Sequence, residues 1–509
     1  MNPLSIFPKQ AVRVLVTLVA VGTLIVAAGC GSSGNNNGGG GGGSNRGFTN
    51  ASLKGQYAFT LRGIGTPDNV NSFFFVEGGV FTADGNGNLT AITDDFVQNF
   101  QAFSDNITGV YSINQDGSGN VQFNFPSGTS ALYRITLSDT GHFYMEEADT
   151  FATSGGSGEK QDTAAFAVVP SGTFVLQTHD LVAGSSKVGV TTWSGGAISG
   201  TGDVLLGGVL SSVTISGTAQ PPATATGRGT VTITDDTGTS HYAYYVVNST
   251  KIRFLNTDAL SSLGIGQAEK QTGGPFSAAS LNGTYVFGSA GETTNVDGIH
   301  SVGLFTADGG GNVTDGSFDF VQDGSPVTGI TLNSGSTYIV DASSGRTKVN
   351  LNLSTATTNE KVMYLVSPSR AYFLVNDPTN VEDGTADKQE GSPFSNSSMS
   401  GQYAFVMDGF DANAQLPYRD RVGTWTPNGS GSVVTSYIAS GFLPSSPPAG
   451  SATSNTLSGT YSVSANGRTT STVNNLSSNL IFYMVSGSSG YILQADTGVD
   501  IGGAFTKQP

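Results

Sequence analysis

Gly55-Gln56-Tyr57-Ala58-Phe59 recurs as Gly172-Thr173-Phe174-Val175-Leu176, Gly283-Thr284-Tyr285-Val286-Phe287 and Gly401-Gln402-Tyr403-Ala404-Phe405, with the four glycines 117, 111 and 118 residues apart. A second marker closes each interval: Lys160-Gln161, Lys270-Gln271, Lys388-Gln389 and Lys507-Gln508. Two independent markers with one period define a tandem repeat of four units. Tyr57, Phe174, Tyr285 and Tyr403, with Gln161, Gln271, Gln389 and Gln508, are its fixed structural positions. Within a unit the apolar period is two. Tyr57, Phe59 and Leu61 fall on one side of a strand and Gln56, Ala58 and Thr60 on the other, and Val121, Phe123 and Phe125 repeat the alternation. Asp-Gly and Asn-Gly pairs separate the runs, because these residues accept the positive φ of tight hairpins. The fold class is therefore all-β, four tandem antiparallel meander domains of about eight strands each. Closure into small β-barrels by first-to-last pairing is the leading expectation, since it leaves no sheet edge. β-Sandwiches are one alternative. An eight-bladed propeller is the other, because Gly109-Val110-Tyr111-Ser112-Ile113 echoes the opening motif at half the period. The units run 49–165, 166–275 (the divergent copy), 276–395 and 396–509, each expected to hold its own core.

The N-terminus carries an address. Lys9 and Arg13 precede the fifteen residues Val14 to Ala28, apolar apart from Thr17, Gly22 and Thr23. A membrane-spanning helix needs about 20 residues, so this length fits the core of a signal peptide. The run ends in Ala27-Ala28-Gly29-Cys30, which holds the single cysteine of the chain. This segment resembles the lipobox of bacterial lipoprotein precursors. The resemblance implies cleavage of residues 1–29, a diacylglyceryl group on the Cys30 sulfur and acylation of the new amine. Two or more acyl chains give stable membrane attachment. Gly31, rather than Asp, follows the cysteine, which by the family's sorting rule favours the outer membrane or cell surface over the inner membrane. Residues 30–48 then form a Gly/Ser/Asn-rich tether, in which Gly31 to Arg46 hold no apolar residue that a core could bury.

Composition narrows the function. With 21 Lys+Arg against 37 Asp+Glu the formal charge is −16, which disfavours nucleic acid. One cysteine permits no intramolecular disulfide. The histidines, His142, His179, His241 and His300, share no repeat position, and no GxSxG elbow has a plausible acid and histidine in order. Glu146-Glu147 and Asp94-Asp95 are adjacent on strands, so each pair points to opposite faces and cannot share a substrate. No Cys/His cluster has zinc spacing. The reading is non-enzymatic, with no cofactor. Calcium is a weak candidate at the acidic turn: Asp84, Asn86, Asn88 and, eleven residues after Asp84, Asp95, with Asp308, Asn312 and Asp319 repeating the pattern. The plainer reading of that turn is a hairpin selected for positive φ. Gly-Arg recurs at Arg228, Arg346 and Arg468, read as a turn or as cross-strand partners for aspartates. The chain is thus expected to be a lipid-anchored binding or display protein of the cell envelope, its extracellular partner or small ligand unknown. An array of ligand-holding barrels and, distantly, a carbohydrate-active enzyme are the alternatives.

Overall fold

The computed structural model describes residues 47–65, 73–98, 101–148, 152–180, 184–258, 263–294, 298–355, 358–410, 418–441, 453–474 and 478–509. Cys30 and its tether as far as Arg46 lie outside them. The described residues form four antiparallel meanders in chain order. In the first, strands Gly55–Gly65, Phe73–Ala83, Asn88–Gln98, Gln101–Ile113, Ser118–Asn124, Ser130–Leu137, His142–Ala148 and Ala152–Lys160 close into a barrel. The second and fourth units, from Gly172–Asp180 to Gly264–Lys270 and from Tyr403–Phe410 to Asp500–Lys507, close in the same way.

The third unit departs from the expected closure. Its sheet has nine strands and ends at Ser325–Thr331 on one side and Thr337–Val340 on the other. These are two halves of what is one strand, Gln101–Ile113, in the first unit. The intervening Asn333-Ser334-Gly335-Ser336 turns the chain, with Gly335 at φ +88°. Isolated bridges, Asn312 to Thr337 and Leu332 to Leu353, span the interruption.

The two repeat signatures meet across the seam of every unit. Tyr57 pairs with Lys160, Phe174 with Lys270, Tyr285 with Lys388 and Tyr403 with Lys507. The opening glycine belongs to this junction. Gly55 sits at φ +130°, and a Cβ there would lie 2.6 Å from Lys160 Cε, so the lysine stem crosses a space only glycine leaves free. The odd residues of the opening strand fill the barrel: Tyr57, Phe59 and Leu61 join Phe81, Phe123 and Phe143 in one buried cluster. Matching clusters around Phe174 and Trp193, Tyr285 and Phe305, and Tyr403 and Trp425 fill the other units. Burying each such ring contributes roughly 1.5–3 kcal/mol.

The even residues of the opening strand leave the barrel and bury against the next one. Ala58 packs with Tyr245 of the second unit, Val175 with Tyr364 of the third and Val286 with Tyr483 of the fourth. Ala404 of the fourth unit packs with Tyr144 of the first. The four units therefore form a closed ring with shared cores at its seams, rather than a row of separate domains.

Candidate functional site

Each closing glutamine is a clamp between units. Gln161 Nε2 donates to Thr226 O and Val246 O, at 3.2 and 2.7 Å. Gln271 Nε2 donates to Ser344 O and Leu365 O at 2.8 and 2.7 Å, and Gln389 Nε2 to Asn466 O and Met484 O at 2.9 and 2.8 Å. Gln508 Nε2 returns to the first unit, donating to Asp116 O at 2.9 Å and Leu137 O at 2.6 Å. One amide thus satisfies one turn carbonyl and one strand carbonyl at all four seams.

The recurring Gly-Arg also works between units. Arg228 forms a bidentate pair with Asp95 at 2.6 and 2.7 Å, and Tyr245 donates to the same carboxylate. Arg346 and Tyr364 hold Asp203 in the same way, as Arg468 and Tyr483 hold Asp319. The aspartate belongs to the preceding unit, so the expected cross-strand partner lies across a seam. The returning seam lacks this group. Ser118 pairs with Thr136 where Arg228 pairs with Tyr245.

The acidic-turn residues separate accordingly. Asp84 Oδ1 accepts the N–H groups of Asn86 and Asn88 at 2.6 and 3.0 Å, and Asn88 Nδ2 donates to Oδ2 at 2.7 Å. Gly85 and Gly87 take φ +88° and +113°. The hydrogen bond from the Asn88 side chain, with those from the backbone, lowers the Asp84 carboxyl to about 2. Asp308 and Asn312 repeat the arrangement. Asp95 and Asp319 face the inter-unit arginines instead, and among the described residues no group of three His, Cys, Asp or Glu is placed to hold a metal ion.

The opening strands converge at the centre of the ring. The fifth residue after each signature aromatic is Arg62, His179, Ala290 and Asp408. Arg62, Ala290 and Asp408 line a cavity of about 370 Å3 to which all four units contribute, and His179 lines a neighbouring one of about 340 Å3 that shares Arg62 and Ala290. Arg62 Nε donates to Asp408 Oδ2 at 3.0 Å, across the returning seam. His179 lies between Asp383 at 2.6 Å and Glu292 at 3.2 Å. Burial alone would lower its pKa, but these two carboxylates outweigh burial and raise it to about 10. Lys251 and Arg253 hold Glu159 at 2.9 and 2.8 Å. His142, next to this group, is pushed down to about 4, chiefly by burial.

Two further buried groups were not singled out by the sequence reading. His300 and Asp420 stand five residues before Phe305 and Trp425, a position filled by Val76 and Val188 in the first two units. Those valines belong to the apolar inter-unit clusters. Asp420 Oδ2 accepts from Thr153 Oγ1 at 2.7 Å across the returning seam. His300 lines the central cavity. The only sequence signal for either is a polar residue at a repeat position that is otherwise apolar.

No known family model matches the chain, and no curated protein matches it. Among solved structures it is similar to intact Ap-TbpB with its N and C lobes, at 7% identity over 73% of this chain and 85% of that one, with a TM-score of 0.17. It is also similar to the Trp-176-Ala mutant of the vaccine antigen transferrin binding protein B from Haemophilus parasuis Hp5, at 9% identity over 88% of this chain and 75% of that one, again with a TM-score of 0.17.

Proposed function

We propose that this chain is an exported, lipid-anchored, non-enzymatic binding or display protein of the bacterial cell envelope, held at the outer membrane or cell surface by acyl chains on Cys30. The observation that supports this most directly is the order of its parts. A signal-length apolar run ends in Ala27-Ala28-Gly29-Cys30, a polar tether follows, and a ring of three closed barrels and one open nine-stranded sheet stands beyond it. Gly31 to Arg46 number sixteen residues, and a Gly/Ser-type linker of that length would have a root-mean-square reach of about 20–24 Å, enough to hold the ring clear of lipid headgroups. Side chains fill the cores of the units; the 370 Å3 space lies between them, and a smaller one of about 230 Å3, lined by Lys187, Val204 and Tyr242, lies within the second unit. The charged groups at the centre are engaged with one another, as expected of a scaffold. Metabolic labelling with a fatty-acid analogue tests the anchor. Wild type is expected to carry the label and to fractionate with membranes, and Cys30→Ala to lose both properties. Unlabelled wild-type protein released into the medium would refute the reading.

A further inference from the structure

The first and second barrels differ at the end away from the closing glutamine, and the strand ladders align the two. Six residues after Tyr57, Gly63 pairs with Phe75; six after Phe174, Asp180 pairs with Ser185. One layer further in, Glu77 pairs with Phe96 and, in the second unit, Lys187 with Val204. Phe125 stands seven residues after Ser118, and Asp235 seven after its counterpart Arg228. Phe75, Phe96 and Phe125 are buried in the first unit's core, with the rings of Phe75 and Phe96 stacked at 5.0 Å between centroids. Ser185, Val204 and Asp235 replace those three rings. The second unit has there a space of about 230 Å3, lined by Ser185, Lys187, Val204, Ser240 and Tyr242 among others. Lys187 pairs with Asp235, and the lysine side chain stays 12% exposed. Ser185 and Ser240 are half-buried. A barrel that serves only as scaffold gains by filling this end with rings, as the first unit does.

We propose that this space is a binding cup for a small, uncharged, polyhydroxylated ligand of about three to five carbons, with the Lys187 ammonium as its hydrogen-bonding anchor. At about 30 Å3 per water-sized volume, 230 Å3 has room for roughly eight non-hydrogen atoms. An ammonium has three N–H donors, and Asp235 takes one of those of Lys187. Thr178, Ser185 and Ser240 stand around it on three strands, each with a hydroxyl that can donate and accept. Val204 and Leu206 give the same space an apolar side for the C–H groups of the ligand. A carboxylate would meet Asp180, which also lines the cup, and an ammonium would compete with Lys187 for Asp235. A purely apolar ligand would leave the hydroxyls and the ammonium without partners. The proposal rests on the binding role proposed above and names its ligand. It does not depend on the anchor, so Cys30→Ala is expected to bind the ligand as wild type does.

Calorimetric titration of the full chain with erythritol, D-xylose and D-ribose tests the cup, with acetate, methylammonium and 1-butanol as anionic, cationic and apolar controls. At least one polyol is expected to bind saturably. Val204→Phe, which restores the ring that Phe96 supplies in the first unit, is expected to keep the fold and to abolish binding. Lys187→Met keeps the apolar stem and is expected to weaken binding about tenfold or more. Ser240→Ala disturbs no ion pair and is expected to weaken it about three- to tenfold. Xylotriose separates two sources of the same chemistry: binding as tight as that of D-xylose marks the end of a glycan as the ligand, and exclusion marks a free polyol. The proposal fails if no polyol binds, if only the controls bind, or if Val204→Phe binds a polyol as tightly as wild type.

Discussion

Asp420 shows how one residue can set the pH response of a seam. It is fully buried, it accepts from Thr153, and its pKa is raised well above the usual carboxylate range, first by burial and then by the charge of Asp408. Glu146 of the first unit is raised for the same leading reason, with Asp420 as its largest charged neighbour. The folded state therefore holds protons that the unfolded chain releases at an ordinary carboxylate pKa near 4. Stability from such a group is fully present below that value and is lost as pH rises through the higher folded pKa. Asp420→Asn keeps the shape and removes the titration. It is expected to leave the melting temperature nearly unchanged at pH 4 and to raise it at pH 8. Melting curves at the two pH values check this, and an equal shift at both would mean that the carboxyl is not protonated in the fold.

The elements that join the units are the closing strands, and their glutamines act at the strand ends. Gln389→Ala leaves Asn466 O and Met484 O without their donor, so it is expected to cost about 1–3 kcal/mol. Gln389→Glu places an acceptor against two carbonyls and is expected to cost more than alanine. Denaturant midpoints for the two variants check that order, and equal midpoints would mean that the amide is not the clamp. The barrels were legible in the sequence because their information is local: alternation, turn residues and two markers that pair in register. The third unit's interruption was not legible, because Asn333-Ser334-Gly335-Ser336 has the same composition as the hairpin turns around it. The seams were not legible. Repetition shows that Gln161 is fixed, but its partners lie in a different sheet, at Thr226 and Val246. Arg228 likewise finds Asp95 across 133 residues of chain, so a search within its own unit pairs it wrongly. The central cavity escaped for the opposite reason. Arg62, His179, Ala290 and Asp408 occupy one repeat position with four different residues, so the pattern that reveals the fold does not mark the place where the units differ.

At the scale of the molecule, the ring has three seams bridged by the covalent chain and one closed only by side chains and packing. That returning seam holds Gln508 on two carbonyls of the first unit, Arg62 on Asp408, Tyr144 bonded to Thr506 at 2.9 Å, and a small apolar contact around Ala404 and Val422. It has no counterpart of the Arg228–Asp95–Tyr245 group. It is therefore the seam expected to part first, because breaking it needs no movement of a linker. Arg62→Asp sets two like charges against each other at the centre, and Gln508→Ala releases the carbonyls of Asp116 and Leu137. Together they are expected to open the ring while the barrels stay folded, since no residue inside a barrel core is changed. Small-angle X-ray scattering would then show a larger radius of gyration with strand circular dichroism preserved, and calorimetry would resolve the single transition of the closed ring into broader, overlapping ones. The matched pair Asp203→Asn and Gln271→Ala weakens a seam that the chain itself still bridges, and is expected to lower stability with little expansion. If the first pair leaves the radius of gyration unchanged, the last unit is not what closes the ring.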